Sequence, residues 1–180
     1  MNIDLEQLKY PIGRYQALPD ANEEQTNKWM GEIAELPQKL RAAVAGLNDE
    51  QLDTAYRPDG WTLRQVVHHL ADSHLNAYFR FKLALTEENP SIRPYDENLW
   101  AGCDEAKHGA IGVSLDLLEN LHQRWMMALK TLKPADFERT YFHPQHQKTF
   151  NIKYLLGLYA WHGAHHVAHI TETKKRHKWL

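Results

Sequence analysis

Residues 62–86 of the 180-residue chain read TLRQVVHHLADSHLNAYFRFKLALT, and the prediction of the fold starts from their helical pattern. Thr62 and Gln65 form a capping box, in which the threonine side chain accepts from the Gln65 backbone and the glutamine side chain reaches back. Apolar residues then recur at helical spacing on one side. The pattern predicts an amphipathic, histidine-bearing helix that starts at Thr62 and ends before Asn89-Pro90. Its stripe comprises Leu63, Val66, Val67, Leu70, His74, Ala77, Phe81 and Leu85.

Two more helices are predicted, one before this helix in the sequence and one after it. Apolar residues follow helical spacing from about Glu23 to a stop at Gly46, and Pro37 is expected to kink this helix rather than end it. Ser114 can cap another helix, whose apolar stripe runs to Lys133-Pro134. That stripe comprises Leu118, Leu121, Trp125, Leu129 and Leu132.

A fourth helix is predicted from its N-cap, Asn151, to about Arg176. Residues 134–150 fit a turn and a small hairpin, and residues 89–113 fit a long crossover loop with short helical turns. Four amphipathic helices joined in this way predict an all-α four-helix bundle with a long crossover connection. Metal sites in such bundles are built from side chains that face the interior.

The length of the chain suits a single domain, which we take as residues 1–180. Residues 1–21 contain Pro11, Gly13 and Pro19 and show no sustained period. They therefore predict an extended N-terminal arm that lies across the domain. A composition that is 43% hydrophobic and 24% charged is typical of a folded globular protein.

Charge and cysteine content exclude several classes of function. The net charge of −2 gives no electrostatic footprint for nucleic acid. No signal peptide and no run of about 20 apolar residues is present, so we expect no membrane contact and a cytoplasmic location. Because Cys103 is the single cysteine, neither an intrachain disulfide nor a thiolate zinc site can form. Any metal must be held by nitrogen and oxygen ligands.

The chain has 12 histidines, and their placement on the last predicted helix indicates a metal site. His162 and His166 are four residues apart and both fall on the inward side of a helical wheel. Side chains at this spacing lie about 5 to 6 Å apart and can converge on one ion. A lone inward histidine is usually a core residue, but an inward pair with more histidines on a facing helix favours a metal.

The third ligand is expected from the helix at 62–86, which offers His68, His69 and His74. The helical wheel leaves this choice open: His74 lies near the middle of the apolar arc, and His68 and His69 flank it. His165 and His169 form a rival pair at the same spacing, but the wheel places His165 furthest from the core.

Four segments carry a family resemblance across nearly the whole chain: GWTLRQVVHHLADSH (60–74), IRPYD (92–96), GLYAWH (157–162) and HHVAHITE (165–172). They resemble the YfiT-like branch of the DinB superfamily. The resemblance implies a four-helix bundle with a crossover connection and a homodimer. It also implies that one divalent metal is held by His69, His162 and His166, which leaves His74 as a core residue or a support for a ligand.

The resemblance implies a metal-dependent hydrolase acting on a small-molecule substrate. Related members of the superfamily resemble transferases that activate a low-molecular-weight thiol such as bacillithiol, and a non-enzymatic metal-binding stress protein is a further alternative. Imidazole ligands suit several divalent metals, of which we expect zinc in the cell and accept nickel in a purified sample. The substrate is not predicted by any motif.

The crossover loop supplies the remaining candidates. Tyr95, Asp96 and Glu97 are candidate acids or bases if the loop closes over the site, although a solvated turn explains them equally well. Arg93 is a candidate for binding a carboxylate or phosphate of the substrate, yet an arginine beside a proline is common on surfaces. No catalytic residue is assigned.

Overall fold

Four long helices form the body of the protein in the computed structural model, which describes residues 4–179. They are α2 (Glu23–Val44), α4 (Leu63–Thr86), α7 (Ile111–Leu129) and α8 (Ile152–His177). Each packs against two others, so that their order around the bundle is α2, α8, α4, α7. Helices α2 and α4 are therefore diagonally opposite each other, as are α7 and α8. The predicted all-α four-helix bundle with a long crossover connection is confirmed.

The helix ends follow the local signals in the sequence. The Thr62 side chain accepts from the Gln65 backbone at 3.2 Å, and the Gln65 side chain accepts from the Thr62 backbone at 2.9 Å. Asn151 accepts from the backbone of Tyr154 at 2.8 Å. Helix α2 continues through Pro37. These contacts confirm the predicted starts of α4 and α8.

The predicted bounds of the third helix are wrong at both ends. Helix α7 begins at Ile111, because this residue continues the apolar stripe one turn upstream, and it ends at Leu129 rather than at Lys133. Ser114 therefore lies inside the helix and does not cap it. Its hydroxyl instead lies 2.7 Å from Nδ1 of His68.

The N-terminal segment is not extended throughout, which corrects the arm predicted at 1–21. Residues Leu5–Lys9 form a short helix, α1, because Asp4 caps it by accepting from the backbone of Glu6. The chain then crosses α8, where the Trp161 indole donates to the carbonyl of Gly13 at 3.3 Å. Residues 1–3 of the predicted arm lie outside the described residues. The single domain at 1–180 stays a prediction.

Shorter elements surround the bundle. Helix α3 (Asp49–Leu52) precedes α4, and the crossover loop contains α5 (Glu97–Ala101) and α6 (Asp104–His108), both of which pack against α4. The predicted hairpin is confirmed as strands β1 (Thr140–His143) and β2 (Lys148–Asn151), with Thr140 opposite Asn151 and His143 opposite Lys148. A 3₁₀ turn at Pro134–Glu138 precedes it.

The hairpin is fastened to the start of the crossover loop and to the end of α4. Phe142 donates to the carbonyl of Pro90 at 2.9 Å and accepts from the backbone of Ile92 at 3.0 Å. The Arg139 guanidinium donates to the carbonyls of Ala84 and Glu87 at 2.7 and 2.9 Å. These bonds hold the end of β1 beside the last turns of α4. Within residues 4–179, every helix falls short of the length and apolar content that a membrane crossing needs.

Candidate metal centre

Three histidines from two helices converge at the predicted metal site. His69 of α4 and His162 and His166 of α8 each offer a ring nitrogen, and these nitrogens all lie within 4.8 Å of one another. The Nε2 atoms of His69 and His162 are 3.2 Å apart. Two ligands of one tetrahedral zinc ion, each about 2.05 Å from it, are separated by about 3.3 Å. The donor atoms therefore fit a shared divalent ion.

Trp61, one residue before the N-cap of α4, packs against this cluster. Its ring centroid lies 4.6 Å from that of His69 and 6.4 Å from that of His166. His69 and His166 are both 7% exposed, and His162 is partly exposed. The indole thus restricts the ring orientations of two of the three histidines from one side.

A chain of hydrogen bonds behind His162 fixes its tautomer. The Ile33 carbonyl can only accept, so His122 donates to it through Nδ1 at 2.6 Å. Neutral His122 then accepts at Nε2 from Nδ1 of His74, at 3.0 Å. Neutral His74 accepts at Nε2 from Nδ1 of His162, at 3.4 Å. The proton of His162 is therefore on Nδ1, and its Nε2 lone pair faces His69.

A second chain of hydrogen bonds fixes the tautomer of His166 in the same way. His169 donates through Nε2 to the carbonyl of Lys9 at 3.1 Å, so its Nδ1 is an acceptor. Nδ1 of His166 lies 3.4 Å from that atom and donates to it. The Nε2 lone pair of His166 is then free for a metal. The N-terminal segment, through Lys9, completes this chain.

Burial keeps these histidines neutral, which is the state that a metal ligand requires. Loss of hydration lowers the pKa of His69 to about 4, that of His122 to about 4 and that of His169 to about 3. The same cause lowers the pKa values of His162 and His166 well below the usual range, and the neighbouring rings lower them further. At neutral pH the cluster therefore offers lone pairs rather than charges.

The rival histidines are also brought together, which the helical wheel did not predict. His165, His166 and His169 offer ring nitrogens within 4.8 Å of one another. His165 was predicted to point furthest from the core, but it is only 6% exposed because Tyr10 and Trp161 cover it. In this second group, however, both nitrogens of His169 already have partners, so a metal would have to replace either its bond to His166 or its bond to Lys9.

The three-histidine cluster opens into a cavity of about 600 Å³. Tyr95 and Glu97 line it, whereas Asp96 is exposed and caps α5 by accepting from two backbone N–H groups. Burial raises the pKa of Tyr95 to about 12, so this hydroxyl keeps its proton at neutral pH. Arg93 is exposed and lines a neighbouring cavity. The arginine that lines the main cavity near the hairpin is Arg80, which sequence reasoning missed.

A sequence model of the DinB superfamily matches residues 32–170 of the chain. The chain belongs to the DinB superfamily. This DinB protein is 50% identical over 172 residues to YfiT of Bacillus subtilis strain 168, which covers 96% of this chain and 97% of the relative. A relative from Oceanobacillus iheyensis is 52% identical over 171 residues, with 95% and 98% covered. The names of both relatives provisionally describe metal-dependent hydrolases.

A solved structure of Bacillus subtilis YfiT has the same fold as this DinB protein. It is described as a probable metal-dependent hydrolase with an unusual four-helix bundle topology. The two structures agree with a TM-score of 0.95 at 49% identity, and the match covers 97% of this chain and 99% of the other. The family resemblance and the bundle expected from the sequence are confirmed.

The chain of hydrogen bonds behind His162 predicts an effect at a distance from the candidate metal site of this DinB protein. In a His122→Phe variant, His74 loses the acceptor at its Nδ1 and can adopt the other tautomer, which forces His162 to carry its proton on Nε2. We expect metal affinity to fall about 10- to 100-fold. Competition with a chromogenic chelator measures the affinity, and ¹H–¹⁵N NMR of the rings reports the tautomers. A His108→Phe variant, at an exposed site, is the control. If His122→Phe keeps the tautomer of His162 and the metal affinity of the wild type, the proposed role of these hydrogen bonds is wrong.

Proposed function

We propose that this protein is a metal-dependent hydrolase that holds one divalent transition metal through His69, His162 and His166. The observation that carries the proposal is the convergence of three neutral imidazoles from α4 and α8 on one side of an open cavity. Three protein ligands with an open fourth position are typical of catalytic rather than structural zinc sites. A divalent ion held there would supply a Lewis acid that lowers the pKa of a water or thiol in its open position.

The chain's own side chains would prepare this site. The hydrogen-bond chains that end at Ile33 and Lys9 hold lone pairs of His162 and His166 toward the ion. The Trp61 ring shields one side of the cluster from water. The Tyr95 hydroxyl, protonated at neutral pH, is available to donate a hydrogen bond to a substrate in the cavity. We propose zinc as the metal in the cell. Nickel in purified samples would also agree with the proposed ligands.

Four further expectations accompany this proposal. A cavity of about 600 Å³ suits a small-molecule substrate. We propose a homodimer, as the family resemblance implies, and a cytoplasmic location. Binding of nucleic acid is not expected, because the net charge is −2.

Turnover assays test the proposed reaction and its alternatives. Zinc-loaded protein is expected to hydrolyse members of a panel of esters and amides without added thiol, and His162→Ala is expected to lose this activity, whereas His108→Ala retains it. Turnover that appears only with a low-molecular-weight thiol would indicate the S-transferase instead. No turnover of either kind by metal-loaded protein would favour the non-enzymatic metal-binding protein.

A further inference from the structure

The cavity has a second group of polar side chains beyond the three-histidine cluster. Arg80 lies eleven residues after His69 on α4, which is about three helical turns, so both residues lie on nearly the same face with Cα atoms about 16 Å apart. His143, at the end of β1, lines the same cavity. The hairpin contacts with α4 and the crossover loop bring His143 beside Arg80.

Arg80 has a buried donor without an acceptor. Its Nε is shielded from solvent and has no hydrogen-bond partner in the part of the chain that the structure describes. Among residues 4–179, no carboxylate oxygen lies within ion-pair distance of the Arg80 guanidinium. Arg57, which lines the other part of the cavity, differs because it donates to the Tyr56 hydroxyl and the Pro58 carbonyl. An unpaired buried N–H of a charged group is costly, so an acceptor is expected from outside the protein.

His143 shows the same deficiency independently. Its side chain is only 6% exposed, yet its Nδ1 is buried and has no hydrogen-bond partner within residues 4–179. Burial, with a further contribution from the positive charge of Arg80, lowers the pKa of His143 to about 4. The ring is therefore neutral at pH 7 and can donate one hydrogen bond. Arg80 and His143 thus line one cavity from two different elements, and each has a buried nitrogen without a partner in the described residues.

We infer that Arg80 and His143 form a subsite for an anionic group, a carboxylate or a phosphate, on the substrate of this protein. A guanidinium binds either group through paired hydrogen bonds, and the imidazole adds one more donor. The inference rests on the proposed function only in taking the three-histidine cluster as the reacting end. The substrate then has an anionic end at Arg80 and a scissile bond toward His69.

Titrations of full-length protein with inorganic phosphate and with acetate test the subsite. The Nε–H resonance of Arg80, assigned by its absence in Arg80→Gln, is expected to shift as either anion is added, and the anion with the lower Kd identifies the preferred group. Arg80→Gln and His143→Gln are expected to bind the preferred anion about tenfold or more weakly. Arg124→Gln, which removes an exposed arginine, is expected to bind it as the wild type does.

A metal-ligand variant separates this inference from the proposed function. Anion binding at Arg80 is expected to persist in His166→Ala and in chelator-treated wild type, with metal content measured on the same samples. Persistence supports the subsite whether or not the metal site exists. If neither anion shifts the Arg80 resonance, if Arg80→Gln binds as the wild type does, or if binding requires the metal, the subsite is overturned.

Discussion

Metal-free protein is expected to lose stability steeply as the pH falls below about 6.5, the ordinary pKa of histidine. Burial holds the folded-state pKa near 4 or below for a set of histidines, and in the unfolded chain the same rings protonate near pH 6.5. The unfolded state therefore binds more protons throughout this window, so stability is complete above pH 6.5 and declines as the pH falls toward 4. The set comprises His69, His122, His143, His165 and His169.

The size of this effect follows from the number of groups. Each fully shifted histidine contributes up to about 1.4 kcal/mol per pH unit, and domains of this size are stable by about 5 to 15 kcal/mol. We therefore expect an acid-unfolding midpoint at about pH 5, and a lower midpoint when zinc is present because the metal competes with protons. Urea unfolding monitored by circular dichroism between pH 8 and pH 5 measures it. A free energy of unfolding that is constant across this range would contradict the burial of neutral rings.

His162→Ala is expected to lose the metal, and His165→Ala is expected to keep it. The two residues are three apart on α8, but only His162 belongs to the cluster that includes His69. Removing one of three proposed ligands should weaken binding by more than about 100-fold, beyond the usual effect of losing a supporting hydrogen bond. Elemental analysis of untagged protein after gel filtration measures the metal per chain.

The comparison also tests the rival group. His165→Ala removes a member of the group formed with His166 and His169 but leaves the proposed ligands intact. His108→Ala controls for loss of a surface histidine. Loss of metal from His165→Ala with retention in His162→Ala would move the site to the second group.

Local signals in the sequence predicted much of the fold because they act within a few residues. The pair Thr62 and Gln65 placed the start of α4, and Asn151 placed the start of α8. The prediction of a cap at Ser114 was wrong because a local signal can have two meanings. A serine that could cap a helix can also lie inside it, when an apolar residue upstream extends the helix. The short helix α1 was missed because its five residues are too few to show a period.

The site was only partly predictable because its contacts come from distant parts of the chain. The spacing of His162 and His166 indicated a pair, but a helical wheel could not choose among His68, His69 and His74 without knowing where the cavity opens. His165 is buried by Tyr10, which lies more than 150 residues away in sequence. A helical wheel drawn from α8 alone places that face in solvent, so it could not predict that His165 is buried.

Arg80 and His143 show the same limit more sharply. They are 63 residues apart and lie on a helix and a strand. Nothing in either local sequence marks them as a pair, and Arg93 was the more conspicuous arginine because it lies in the motif IRPYD. The bonds that fasten the hairpin to α4 and to the crossover loop bring the two side chains to one cavity.

X-ray absorption at the zinc edge, on wild-type protein and on His69→Ala with one equivalent of zinc, tests the proposed centre most directly. The His69→Ala variant distinguishes the two candidate sites. His69, on α4, belongs to the first cluster, whereas all the histidines of the second group lie on α8. We expect three imidazole nitrogens at about 2.0 to 2.1 Å and a light fourth ligand in the wild type. In His69→Ala we expect fewer imidazoles or no bound zinc. An identical three-imidazole spectrum from both proteins would contradict the proposed ligand set.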